Sequence, residues 1–215
     1  RGIREAGYLP HGWTEGLSVV AGDVETVVRY FKAGASFQAA MSGDYRDLGV
    51  GLATLRGVPL YVFLFAWPES DFFARQIAGI SDLAAVRREM LEEVNAARRA
   101  AGRSALVADA RLDAAAQEHA QDMLTRAYYD HQTPEGRTPR QRLEAAGYLA
   151  HKVGENIAEG QFSVKEVMSG WLASSGHRQN LLDASFTELG VGLAIGRLED
   201  RLRILWVQDF AVPGI

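Results

Sequence analysis

The segment DLGVGLA at residues 47–53 returns as ELGVGLA at 188–194. An internal repeat constrains a fold more than any local signal does, because it sets how the chain divides. The likeness extends on both sides. Upstream, AGYLPHGWTEGL at 6–17 parallels AGYLAHKVGENI at 146–157, and downstream FAWP at 65–68 parallels FAVP at 210–213. Between these landmarks, SVKEVMSGWL at 163–172 opens on Ser163 with Glu166 in capping-box spacing, and Val164, Val167, Met168 and Trp171 fall on one helical face. In the first copy Asp23 takes the N-cap position, and Val24, Val27, Val28 and Phe31 repeat the face. After each predicted helix a Leu-Gly-Val-Gly-Leu-Ala run, a turn and a second apolar run read as a strand hairpin. The repeated unit is a helix followed by two strands.

The copies are unequal. Residues 1–68 match only 141–213, and nothing before Arg1 corresponds to 86–140. That stretch carries two further predicted helices, at 81–102 with apolar Val86, Met90, Val94 and Ala97, and at 109–126. Residues 81–215 are therefore expected to form a complete unit of three helices and a small sheet, and residues 1–80 a degenerate half-unit. A half-unit leaves an apolar face to be packed against the complete unit, against another copy in a homo-oligomer, or against sequence outside the chain.

A chain of 215 residues that is 47% hydrophobic can bury a sizeable core. With 23 basic against 27 acidic residues and a net charge of −4, it shows no electrostatic drive toward nucleic acid or an anionic membrane. The longest apolar run, VPLYVFLFAW at 58–67, is about half of what a membrane-spanning helix needs and reads as a buried strand. Cysteine is absent, so disulfides and thiolate chemistry are excluded and any metal must be held by His, Asp or Glu. No signal peptide precedes Arg1, and the charged opening is that expected of a mature or truncated product.

Five motifs follow one another in the second part: LEEVNAARRAAGRSAL at 91–106, AYYDHQTPEGRTPRQRLEAAGY at 127–148, VGENIAEG at 153–160, WLASSGHRQNLLDASFTELGVGLA at 171–194 and WVQDFA at 206–211. In this order they resemble the bacterial, SCP-like extracellular branch of the CAP superfamily (cysteine-rich secretory proteins, antigen 5, pathogenesis-related proteins). The resemblance implies an α/β fold of the α-β-α sandwich type, export to a secreted or periplasmic location, and a surface cleft lined by two histidines and two acidic residues. Carried onto this chain, the cleft set is His131, Glu155, His177 and Glu188, with Asn156, Arg178 and Asn180 as supports.

Two imidazoles and two carboxylates can hold a divalent cation, run acid/base chemistry, or form a satisfied polar network. A cation such as zinc would take His131 and His177 as ligands. Three functions follow: binding of an unknown ligand, hydrolysis with His177 or Glu155 as base, or a structural interaction module with a vestigial cleft. His131 lies in a loop before Pro134 and Gly136. His177 is expected at the end of the 163–174 helix, where its imidazolium would favour the C-terminal dipole. His119 shares a stripe with Leu112, Ala116 and Met123 and is expected to be a half-buried core histidine, whereas His11 and His151 read as surface residues. Ser174 and Ser175 lack a G-x-S-x-G elbow, which disfavours a serine hydrolase. In the first copy Glu15 matches Glu155, Phe37 or Ser36 stands for His177, Asp47 stands for Glu188, and nothing matches His131.

Overall fold

The computed structural model describes residues 10–19, 24–34, 37–38, 45–198 and 201–214; Asp23 and Ser36, and the side chains of His11 and Glu15, lie outside the described residues. The chain divides into two compact units, Arg1–Gln76 and Ile77–Ile215.

In the first unit β1 (Pro10–Val19), α1 (Val24–Ala33), β2 (Asp47–Leu55), β3 (Val58–Pro68) and α2 (Glu69–Ile77) follow in order, and the strands form an antiparallel sheet β1-β3-β2. The β2–β3 hairpin turns on Arg56 and Gly57, both at positive φ, the two-residue geometry that matches the twist of its strands. The apolar run expected as a buried strand is β3, which among its described side chains is buried at Phe63 and Ala66 and otherwise half-buried or exposed. A strand is enclosed only where a layer covers it, and on neighbouring β2 Leu48, Val50 and Leu52 are exposed.

In the second unit α3 (Leu83–Ala100), β4 (Val107–Ala108), α4 (Ala110–Thr125), α5 (Pro139–Ala145), β5 (Ala150–Glu159), α6 (Val164–Ala173), α7 (Ser175–Leu182), β6 (Glu188–Leu198) and β7 (Arg201–Pro213) build a sheet of order β4-β6-β7-β5, antiparallel except for β4 against β6. On one face Ala116, Ala120 and Met123 of α4 pack with Ile157, Ala194, Leu205 and Val207. On the other, Met90 and Val94 of α3 and Val167 and Trp171 of α6 pack with Val191, Leu193, Trp206 and Phe210. Helices cover both faces, so this unit is an α-β-α sandwich.

The helix starts follow their caps. Asp82 accepts from the Ala84 and Ala85 amides, Asp109 from Arg111, and Ser163 from Glu166. The expected box at Ser163 closes one residue early, because the Glu166 carboxylate takes the amide of Phe162. Five helices stand in this unit where three were expected. The additional ones, α5 and α7, are 7 and 8 residues long, too short to show a periodic apolar face. The first is fixed instead by a reciprocal capping box between Thr138 and Gln141, with Pro139 at its first position.

Candidate functional site

Strand β5 forms the outer edge of the sheet, and its period-two alternation puts Glu155 on the same face as Ile157, toward α4. The Glu155 side chain is 2% exposed and is met from α5 by Arg142, whose Nη2 donates to Oε2. Arg142 Nη1 donates to the carbonyls of His131 at 2.9 Å and Arg137 at 3.2 Å. One buried guanidinium thus fixes both the carboxylate and the loop above it. His131 Nδ1 lies 2.7 Å from Glu155 Oε1 while its side chain is 51% exposed. A carboxylate on Nδ1 sets the ring's orientation and leaves Nε2 toward solvent. The hydrogen bond to Glu155, against the opposing effect of burial, raises the His131 pKa above the ordinary imidazole value.

His177 is not at the C-terminal end of a helix. Helix α6 stops at Ser174, whose extended backbone starts α7, and His177 sits in the first turn of that new helix. Burial lowers its pKa, the charge of His131 adds to the effect, and the positive end of the α7 dipole acts in the same direction. Asn156 Nδ2 donates to the His177 carbonyl at 3.2 Å and to Gln208 Oε1 at 3.2 Å. Asn180 Nδ2 donates to Asn156 Oδ1 at 2.9 Å and to the Glu155 carbonyl at 3.0 Å. These amides tie α7 to β5. Arg178 Nη1 donates to the Leu172 carbonyl, joining α7 to the end of α6, and buried Arg98 of α3 donates to the Leu181 and Asp183 carbonyls at its far end. Gly154 in VGENI leaves room for this docking, since a Cβ there would meet the Phe186 ring at 2.7 Å.

Glu188 is held elsewhere. Strand β7 lies between β6 and β5, and the register runs Glu188–Ala211–Val153, so Glu188 is two strand spacings, roughly 10 Å, from β5. Its carboxylate accepts the Tyr148 hydroxyl, and Arg111 lies over the Tyr148 ring. Of the four carried-over residues, His131 and Glu155 are in contact, His177 is tied to β5 through its carbonyl and Asn156, and Glu188 is held apart from them. His119, expected to be half buried, is fully enclosed beneath Glu155: its Nε2 is 3.0 Å from the Asp130 carbonyl and 3.9 Å from Glu155 Oε2, and burial lowers its pKa. His151 is exposed as expected. Ser174 serves the junction between α6 and α7, its carbonyl accepting the Arg178 amide.

Two depressions flank the imidazoles. One of about 510 Å³ joins His131 to Thr138, Pro139, Arg140 and Gly154, and one of about 370 Å³ joins His177 to Tyr129, Gln161 and Trp171. Among the described residues no three His, Asp or Glu side chains are arranged to hold a metal ion. The two imidazoles alone fall short of the three or four protein ligands of a zinc site. Sequence reasoning missed Arg142 and Asp209. The signal for Asp209 was present, a carboxylate inside the apolar run LWVQDFAV.

Residues 91–210, more than half of the chain and including His131, Glu155 and His177, match the model of the CAP family, the cysteine-rich secretory protein family. The chain belongs to this family. Among relatives of the CAP domain, the uncharacterized protein YkwD of Bacillus subtilis is 38% identical over 130 residues, which is 60% of this chain and 48% of YkwD. The chain thus spans about half the length of that relative. Two solved structures share the fold. One is an extracellular protein containing a SCP domain from Bacillus anthracis, with TM-score 0.53 and 19% identity over 98% of this chain and 70% of that one. The other is an outer surface protein from Borrelia burgdorferi, with TM-score 0.50 and 21% identity over 59% of this chain and 92% of that one. Among the described residues no helix is long and apolar enough to cross a membrane.

Proposed function

We propose that the CAP domain is an exported, secreted or periplasmic, binding module whose ligand presents an anionic or carbonyl oxygen to the cleft between His131 and His177. The observation that supports it is the opposite tuning of the two imidazoles. His131, backed by Glu155, favours the charged donor form, and His177, desolvated at a helix N-terminus, favours the neutral form. A charged donor beside a neutral acceptor suits a polar group with an oxygen at one end and a hydrogen at the other. Export is supported by the extracellular and outer-surface descriptions of the solved relatives.

The test is an NMR titration of the whole chain with N-acetyl-alanine and with inorganic phosphate, following the imidazole Cε1 protons. Both imidazole signals are expected to move, and His131→Ala is expected to weaken binding about tenfold or more, the worth of one charge-assisted hydrogen bond. Neither signal moving with either probe would reject the reading. Zinc is expected to bind wild type and the His131→Ala/His177→Ala double variant equally weakly.

The same opposite tuning favours a second reading, acid/base hydrolysis with His131 as acid and His177 as base, because environments that push two pKa values apart assign such roles. Glu155 is the poorer base, being enclosed by Arg142. Hydrolysis of p-nitrophenyl acetate that survives the double substitution would remove this enzyme.

A further inference from the structure

Asp209 lies on β7 directly opposite Glu155 of β5, on the same face of the sheet, and is fully buried. No N–H or O–H group of the described residues donates to either of its oxygens. What faces it across the strand register is Glu155, whose charge acts on it. Two carboxylates have no hydrogen to share, so the pair can form a hydrogen bond only if one of them carries a proton. The charges around the pair lead to the same result. From α5 comes Arg142, whose Nη2 is engaged by Glu155. From α4 comes His119, kept toward its neutral form by burial, and from the loop above comes His131, which is bound to the other Glu155 oxygen. Strand β6 contributes Gly190 at the same level and no charge. The enclosed guanidinium and the half-exposed His131 both bond Glu155, so neither cation pairs with Asp209, and a buried charge without a partner is expelled by protonation.

We propose that Asp209 is a positioning residue of the cleft that holds, with Glu155, a single shared proton at neutral pH, leaving the pair one negative charge with which to orient His131. Burial first, and then the Glu155 charge, push the Asp209 carboxyl well above the usual carboxylate range. The proton reserve deepens the proposed cleft function, and it would stand beneath either the binding or the acid/base reading.

The experiment is carboxyl ¹³C NMR on the whole chain with labelled Asp and Glu, Asp209 being assigned by loss of its signal in Asp209→Asn. At pH 7 the Asp209 carboxyl is expected at its protonated position, the two carboxyls together binding one proton. In Glu155→Gln the neighbouring charge is gone and Arg142 is freed, so the pH at which the Asp209 signal changes is expected to fall. An Asp209 already ionised at pH 7 in the wild type would overturn the proposal. An Asp209 whose titration does not move in folded Glu155→Gln would overturn it too, since the proton would then owe nothing to Glu155. The wild-type arm stands if Glu155→Gln fails to fold. Both arms are read without ligand, so a cleft that binds neither probe leaves this result intact.

Discussion

Leu189, Val191 and Leu193 of β6 are 1, 2 and 6% exposed, whereas Leu48, Val50 and Leu52, which occupy the same places in the same heptapeptide on β2, are 58, 61 and 66% exposed. The two strands also stand in sheets of matching order, β1-β3-β2 and β5-β7-β6. The difference comes from two helices. Helix α3 covers the leucines of β6, and α4 comes so close on the other side that a Cβ at Gly190 or Gly192 would lie 2.2 Å from its backbone. Helix side chains also close the β6 edge beyond short β4. Asp113 Oδ1 accepts the Val191 amide at 2.8 Å, Gln117 bonds both the amide and the carbonyl of Leu193, and Arg87 Nε donates to the Val191 carbonyl. At Gly49 and Gly51 an added Cβ meets only side-chain and carbonyl atoms of β3, at 3.6 Å or more. A strand's alternating pattern thus records the partners it is suited to, while burial depends on whether those partners are supplied. The cleft follows the same division, since α5 and α7, which carry Arg142 and His177, have no sequence counterpart in the first unit that bears an imidazole.

The contrast can be broken by substitution. The largest effect is expected from Arg142→Met, which strands the Glu155 carboxylate in the interior and should cost about 3–5 kcal/mol by urea unfolding. Gly192→Ala should cost about 3 kcal/mol, because α4 must retreat, while Gly51→Ala should change stability by no more than about 0.5 kcal/mol. Equal effects of the two glycine substitutions would refute the packing difference. Asp113→Ala, which leaves the Val191 amide without its acceptor, should cost about 1–3 kcal/mol.

The smallest effect is on pH dependence. The folded pKa of His119 lies below its unfolded value, so its stabilising neutral form is fully present above pH 6.5 and the contribution is lost as pH falls through the folded value. His177 acts with the same sign. His131 acts with the opposite sign: its folded pKa is raised, so its contribution is present below about pH 6.5 and lost as pH rises through the folded value, and half-exposure reduces it through solvent screening. Urea midpoints measured between about pH 5 and 7 should therefore fall on acidification in the wild type and fall less in His119→Gln.

The long elements are legible in the sequence. Helices α3, α4 and α6 show an apolar period and a capping residue, and both hairpins show paired apolar runs around a turn. His131, Glu155 and His177 are legible through their motifs; His131 and Glu155 are in contact, and His177 is tied to β5 through its carbonyl. The short helices are not. WLASSGHRQNLL shows no breaker ahead of Ser174, so the new start that turns His177 from a helix end to a helix beginning has no strong local mark. Glu188 shares a motif with the site, yet register along β6 and the interposed β7 decide where it sits. Arg142 and Asp209 are hidden for a related reason. Whether a charged residue is enclosed depends on a partner distant in sequence, here Glu155 for both, and local pattern carries no record of that pairing.

The central claim is that the second unit holds two oppositely tuned imidazoles, His131 backed by a buried carboxylate and His177 desolvated at the start of a helix. Its most direct measurement is the titration of the His131 and His177 Cε1 protons by NMR in the whole chain, with and without Glu155→Gln. His131 is predicted to titrate above the ordinary histidine value and His177 below it, with His131 dropping once Glu155 becomes Gln. Two imidazoles titrating together near the ordinary value, or a His131 indifferent to the substitution, would contradict the account.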